Sequence, residues 1–271
     1  MLCSAFIFCI GLFFSSIGFS TLTVAPAAAT TTTFGAQAKS NAENATVLIT
    51  GYIDIVSGCS HAKGAAIPAL DVKRCTSGGA GSINRVWYRC AGVAEGIEDA
   101  RGYAVDVLTA RHCIEPTTED NYGEGTLLSP EKDTIAIRFH DGSTGQFDGA
   151  FSPTNSYDVE LIRVRAQRVH VGIAQPNFAI APDQPLHVLG HSRNSDWGWK
   201  PAKSVDGTQA SLIAGWAYTS MIECPQCAEG DSGGGVWSND GKLVGIFNAM
   251  TAQYGFFTAS TRITGLLPVA R

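Results

Sequence analysis

The sequence predicts an all-β fold built as barrels or sandwiches. Short runs rich in Val, Ile, Tyr and Phe recur along the chain, separated by turn signals such as Asp141-Gly142 and Asn239-Asp240-Gly241. No long segment carries apolar residues at the helical period; the nearest case, Thr261–Val269, is short and holds Pro268. Many short strands without intervening helices bury their apolar faces by stacking sheets or closing one on itself. The candidate strands are Val47–Ile55, Val86–Val93, Tyr103–Thr109, Thr134–Phe139, Val159–Val164, Leu186–Gly190, Gly235–Trp237, Leu243–Asn248 and Gly255–Thr258. No internal sequence repeat is visible.

The chain opens with an uncharged apolar run, Leu2 to Phe19, and a more mixed stretch ending at Ala27-Ala28-Ala29. Small residues at that point fit a signal-peptidase site, so residues 1–29 read as a secretory signal peptide. The rival reading is an uncleaved anchor, since about 18 apolar residues can span a bilayer. With the signal removed, the expectation is a secreted protein, extracellular or periplasmic, with no stable membrane association. Residues 30–46, Thr-rich and then Ala, Gln, Ser and Asn, read as a flexible segment. They hold the sequon Asn44-Ala45-Thr46. The net charge of −5, with no basic cluster, excludes nucleic acid as a partner, because phosphate binding needs concentrated Lys and Arg.

Of the eight cysteines, Cys3 and Cys9 leave with the signal, and Cys59, Cys75, Cys90, Cys113, Cys224 and Cys227 remain. An even number behind a signal peptide points to disulfides. Cys224-Pro-Gln-Cys227 also admits a metal reading, but zinc wants two further ligands at similar short spacing, and no second CxxC occurs.

Three segments carry chemistry. In Val107-Leu108-Thr109-Ala110-Arg111-His112-Cys113 an apolar strand runs into a small residue and sets His112 at its end. In Tyr157-Asp158-Val159-Glu160-Leu161-Ile162 an acid stands just before an apolar strand. In Glu229-Gly230-Asp231-Ser232-Gly233-Gly234-Gly235 a serine sits at the centre of a glycine-rich turn. A Ser hydroxyl is un-ionised at neutral pH, and an imidazole titrating near 6.5 is suited to take its proton and return it. A buried carboxylate on the other ring nitrogen fixes the tautomer. Glycines around the serine let backbone N–H groups face a developing oxyanion, and Gly230 and Ser232 are the natural donors. His140, His170, His187 and His191 have no comparable context and read as structural or exposed.

The segments TARHC, YDVELIRV and GDSGGG, in the order His, Asp, Ser, resemble the trypsin/chymotrypsin family of serine proteases; subtilisins and α/β-hydrolases use the same groups in other orders. The resemblance implies two six-stranded antiparallel barrels with the active site between them and a short C-terminal helix. It divides the chain into a first barrel over 47–174 carrying His112 and Asp158, a connection over 175–185 marked by Pro176, Pro182 and Pro185, and a second barrel over 186–271 carrying Ser232 and the specificity pocket. It implies hydrolysis of peptide bonds in a protein or peptide substrate through an acyl-enzyme, with no metal or organic cofactor. A silent homologue that binds a partner, or an esterase using the same triad, are the rival readings. Cys90–Cys113 is similar to the family disulfide bracing the histidine loop. Cys59–Cys75 and Cys224–Cys227 are the simplest pairing of the rest, whose connectivity sequence leaves open.

The family's substrate-binding strand and pocket wall map onto Leu243–Asn248, with Phe247 and Asn248, and onto Gly255-Phe256-Phe257 opposite. The pocket base falls at Pro225 or Gln226, neither an acid, which argues against preference for Lys or Arg. Met250 stands where the family often has Gly, and Asn248-Ala249 replaces its common Ser-Trp pair. The family frees a chain end before an Ile-Val-Gly-Gly-like sequence, and the new amine pairs with the Asp preceding the nucleophile, here Asp231. The only similar stretch is Ile55-Val56-Ser57-Gly58, behind Asp54, so activity is expected without a cut there. An internal Arg or backbone amides remain as partners for Asp231.

Overall fold

Residues with period-two burial and turn chemistry between them dictate the strands. In Glu160-Leu161-Ile162-Arg163-Val164-Arg165-Ala166, Ile162, Val164 and Ala166 are buried while Arg163 and Arg165 face water. A computed structural model describes residues 34–57, 82–97, 104–115, 127–130, 132–151, 157–166, 174–192, 197–205, 211–213, 216–218 and 220–266. The segment read as a signal peptide, Cys59 and Cys75 lie outside the described residues.

The first half contains β1 (Thr46–Ser57), β2 (Ser82–Ile97), β3 (Ala104–Thr109), β4 (Leu127–Pro130), β5 (Ala136–Phe139), β6 (Thr144–Phe151) and β7 (Glu160–Ala166). Antiparallel pairing runs β1-β2-β3-β7-β6-β5 and returns to β1, closing a barrel, while β4 adds to the far end of β1. The second half contains β8 (Pro185–Gly190), β9 (Gly198–Ser204), the two-stranded ribbon of β10 (Ser211–Ile213) and β11 (Trp216–Tyr218), then β12 (Ser220–Glu223), β13 (Gly235–Ser238), β14 (Leu243–Met250) and β15 (Tyr254–Ala259). Here β8-β9-β12-β15-β14-β13 closes on itself. Numbered by chain order within each barrel, both close as first, second, third, sixth, fifth, fourth, so one topology is used twice.

Three apolar clusters fill this frame. Val47, Ile49, Val107, Ile137, Phe139, Ile162 and Val164 fill the first barrel. Leu186, Val188, Ile222, Val236, Phe247 and Phe257 fill the second. A third cluster joins Val93 and Leu108 of the first barrel to Leu189, Trp237, Leu243 and Ile246 of the second. Adjacent residues explain the division: Val107 faces the barrel interior and Leu108 the seam, because successive side chains point to opposite faces. The connection is tied to both sides, with the Ala174 amide on the Ala94 carbonyl at 3.0 Å and the Asn177 amide on the Leu243 carbonyl at 2.7 Å.

Two expectations change. Within the segment expected to be flexible, residues 36–45 form α1 (Ala36–Ala45), whose Ala42 and Ala45 are buried in the seam. Glu43 accepts from the Trp199 indole at 2.7 Å, Phe34 stacks on His187 with ring centres 4.3 Å apart, and the Thr46 hydroxyl donates to the Ala42 carbonyl at 2.8 Å. Its inward stripe is alanine, which carries little hydrophobic signal in sequence but permits close approach. At the other end, the expected C-terminal helix is a 3-10 turn, Ser260–Arg262, followed by turns to Leu266; residues 267–271 lie outside the described set. No described helix is long and apolar enough to cross a membrane.

Glu95 is buried at the bulge where β2 skips a residue against β3, and its carboxyl oxygens find no hydrogen-bond partner among the described residues. Burial pushes this carboxyl well above the usual range. A raised folded-state value means that the folded chain holds the proton more tightly than the unfolded one. The contribution to stability is therefore intact below about pH 4 and is lost as pH rises through the folded value. Glu95→Gln, which cannot ionise, should match the parent near pH 4 and become progressively the more stable chain toward pH 8, as read from denaturation midpoints across that range.

Candidate active site

The path from β3 to His112 is short. The strand ends at Thr109, Ala110 stays extended, and a 3-10 turn, Arg111–Cys113, carries His112 out of the first barrel. The Cys90–Cys113 disulfide ties that turn to β2. Asp158 is fully buried just before β7. Its carboxylate holds His112 twice, one oxygen 2.6 Å from ring Nδ1 and the other accepting the His112 backbone N–H at 2.9 Å. A carboxylate only accepts, so Nδ1 carries the proton in this contact and Nε2 is left as the basic nitrogen. The grip on backbone and ring together leaves the imidazole little rotational freedom.

The nucleophile candidate sits on the turn between β12 and β13. Gly230 and Gly233 adopt φ of +97° and +82°, and a Cβ at either would collide with backbone, His191 O in the first case and Ala91 O in the second. The turn is pinned at several points. The Gly233 amide donates to the Phe247 carbonyl at 2.7 Å, the Gly234 amide to the Asp231 carbonyl at 2.9 Å, and Ala91 of β2 donates to the Ser232 carbonyl at 2.7 Å. The last bond sets Ser232 beside the histidine turn, with its carbonyl oxygen 3.8 Å from Cys113 Sγ. The Gly230 and Ser232 amides, unlike those of Asp231, Gly233 and Gly234, donate to no described residue. The Ser232 hydroxyl donates to the Asn248 carbonyl at 3.3 Å.

Asp231 is fully buried and lies 2.6 Å from the ammonium of Lys200, which is itself 5% exposed. The Ala228 amide donates to its second oxygen at 2.8 Å. Burial pushes the Asp231 carboxyl up, and Lys200 with the Ala228 and Ser192 amides pulls only part of that back.

The residues assigned to substrate separate into two groups. Met250 is exposed, and Gln226 lies on the exposed turn closed by the Cys224–Cys227 disulfide. Phe247 and Gly255 do not line an open wall: Phe247 is 1% exposed inside the second barrel, a Cβ on buried Gly255 would meet its ring, and its backbone is committed to the nucleophile turn. Asn248 is the extra residue of a bulge between β14 and β15, which turns its side chain inward. Its amide donates to the Asp158 carbonyl, and its oxygen accepts from the Thr258 hydroxyl at 2.9 Å. Sequence reading missed Lys200 and this bracing role of Asn248. A lysine within a strand reads as solvent-facing, and no local pattern marks a bulge. The Cys90 and Cys113 sulfurs lie within 4.8 Å of a His112 ring nitrogen, but they are bonded to each other and offer no thiolate to a metal.

The profile of the trypsin-like peptidase domain matches residues 96–246. The chain belongs to that family. No curated protein matches it. Among solved structures, a variant of the HtrA-type protease AlgW with a decapeptide superposes with a TM-score of 0.56 at 15% identity, over 84% of this chain and 63% of that one. The active form of the Rv3671c protease from M. tuberculosis gives 0.51 at 15% identity over 84% and 81%. The serine endoprotease from Yersinia pestis gives 0.52 at 14% over 84% and 63%. At such identities the likeness is one of fold, and this trypsin-like domain spans about three fifths of the AlgW chain.

The bracing by Asn248 has a measurable consequence. Asn248→Ala leaves the Asp158 carbonyl and the Thr258 hydroxyl buried without this partner, and should destabilise the fold by about 1–3 kcal/mol in denaturant titration.

Proposed function

We propose that this chain is a serine endopeptidase in which Ser232 is the nucleophile, His112 the general base and acid, and Asp158 the group that orients His112. The observation that carries the reading is the double grip of Asp158 on the ring and amide of His112, beside a nucleophile turn clasped to the same strand pair. His112 Nε2 takes the Ser232 proton as Oγ bonds to the scissile carbonyl carbon. The carbonyl electron pair moves to oxygen, where the Gly230 and Ser232 amides are the candidate donors. Collapse breaks the C–N bond, the amine leaves with the proton from His112, and Ser232 is left as an ester. Water, deprotonated by His112, then releases the acid and restores the hydroxyl.

A peptide as substrate is supported by the strand geometry. Beyond Ile246, β14 parts from β13, and residues 249–250 pair only with β15 among the described strands. An extended substrate therefore finds backbone groups at Asn248–Met250, beside Ser232. The related AlgW structures hold a decapeptide and a tripeptide. The disulfides support a life in an oxidising compartment, extracellular or periplasmic.

A fluorophosphonate probe should label Ser232 in folded protein, and casein hydrolysis should be lost with Ser232→Ala. His112→Ala should lower kcat by about as much, on the order of 10⁴–10⁶-fold, and the double variant by no more than either single one, because the groups act as a unit. A folded chain that takes no label is a silent homologue; one that labels and cleaves esters but not casein is an esterase. In a peptide library, cleavage should favour medium-sized apolar or polar residues over Lys and Arg, since no acid stands at the expected pocket base. A profile dominated by Arg and Lys would refute that specificity.

A further inference from the structure

Ser232 stands between two walls. On one side its hydroxyl reaches the Asn248 carbonyl of β14 at 3.3 Å, where the acyl half of a peptide is expected. On the other its carbonyl takes the Ala91 amide of β2 and lies beside Cys113. The half of a substrate beyond the scissile bond leaves on that second side, away from β14. What it meets there is set by β2.

β1 and β2 run well past the barrel they help to close. β5 pairs with β1 only over Val47–Thr50, and β3 with β2 only over Gly92–Ile97. Beyond that, Gly51–Ser57 and Ser82–Tyr88 form a ribbon to which β4 adds on the β1 side. Between Ser82 and Tyr88, β2 pairs with β1 alone among the described strands. Ala91 begins one face of this ribbon under the nucleophile turn: a side chain on Gly234 would meet its Cβ, and one on Gly230 would meet the Arg89 Cγ. Alternation puts Arg89, Trp87, Arg85 and Ile83 on that same face, with Tyr52 of β1 opposite Trp87 and Asp54 opposite Arg85.

The face is apolar where it should be polar. Five large apolar side chains are exposed among the described residues. Trp87, Ile83 and Tyr52, at 51%, 49% and 43% exposure, share this face, and a fourth, Met250, stands on β14 across the nucleophile. The arginines between them are engaged. Arg85 holds Asp54 at 2.7 and 2.9 Å, while Arg89 reaches the Ser192 carbonyl at 3.2 Å and lies over the Trp87 ring, 5.4 Å from its centre. The second contact holds the indole in place as a platform.

We propose that the outer face of the β1–β2 ribbon is a substrate-binding ledge, on which Trp87 and Tyr52 take an aromatic or other large apolar side chain about four residues beyond the scissile bond. The proposal rests on the serine-protease reading above and names which peptides that site selects. Same-face side chains recur about every 6.7 Å along a strand, so Trp87 lies about 13 Å from Ala91, a span that extended peptide covers in about four residues. Substrate is the occupant because the ledge is continuous with the nucleophile turn and lies on the side by which the leaving half departs.

The test uses internally quenched peptides that share the acyl half Ala-Ala-Val and carry the leaving half Gly-Ser-Ser-X-Gly, with X as Phe or Ser. Parent kcat/KM should favour Phe over Ser by about tenfold, the scale of burying one apolar side chain. Trp87→Ala and Tyr52→Ala should each bring that ratio below about threefold, and either is read where the other fails to fold. Phe178→Ala, which removes an exposed aromatic outside the ribbon, should keep it. A parent ratio below about threefold overturns the proposal, as does a ratio that survives both ledge substitutions or falls as far with Phe178→Ala. Fluorophosphonate labelling reports on the protease reading separately. If the parent cleaves neither peptide, both stay intact and their binding is titrated directly: tighter binding of the Phe peptide that is lost in Trp87→Ala upholds the ledge, and equal binding of the two overturns it.

Discussion

A single backbone clasp sets the register between the two barrels. Ala91 of β2 donates its amide to the Ser232 carbonyl at 2.7 Å, and its own carbonyl accepts from the Thr109 hydroxyl at 2.7 Å. Its neighbour Cys90 is bonded to Cys113, so one stretch of β2 touches both the histidine turn and the nucleophile turn. Gly233 must lack a side chain because it packs against that same Ala91 carbonyl. The seam behind the clasp, from Val93 and Leu108 to Leu189, Trp237 and Ile246, is closely packed and apolar, and interiors of that kind transmit position with little compliance. Moving either barrel would break the clasp and the seam together.

The two barrels share a strand order without sharing a sequence pattern, and this explains what was legible beforehand. Closure in that order needs period-two burial and the right turns, and many side-chain sets satisfy both. The first interior is mostly Val and Ile, while the second uses Phe247 and Phe257. Strands with a clear apolar face, such as Val47–Ile55 and Leu186–Gly190, were readable. β6 was not, because Thr144-Gly145-Gln146-Phe147-Asp148-Gly149 is polar and glycine-rich, and Asp148 is exposed in an ion pair with Arg165. Nor was β9, where Pro201 and two lysines contradict strand propensity and only pairing with β8 and β12 overrides it.

The candidate site divides along the same line. His112, Asp158 and Ser232 stand in local motifs whose residue types are constrained by chemistry and by the backbone shapes around them. Their supports come from elsewhere in the chain. Lys200 reaches Asp231 from a strand 31 residues away, and Asn248 reaches Asp158 across 90 residues. Contacts of that kind depend on how the barrels close, which no local spacing encodes. Asn248 was assigned to substrate because its strand was recognised; the bulge then exchanged which group faces the site, leaving the carbonyl outside and the amide on the acid residue.

Two fully buried carboxylates, Asp158 and Asp231, stand beside the candidate nucleophile turn, and they face partners of different kinds. In the proposed mechanism Asp158 faces an imidazole that is charged only while it holds the proton of Ser232, so the attraction grows as the transition state forms. Asp231 does a different task. Burial alone pushes its carboxyl toward protonation, and Lys200 with the Ala228 and Ser192 amides opposes that push. Lys200 sets an ammonium 2.6 Å from that carboxylate. One buried carboxylate thus faces an imidazole and the other an ammonium, and the fold draws them from different barrels, His112 from the first and Lys200 from the second.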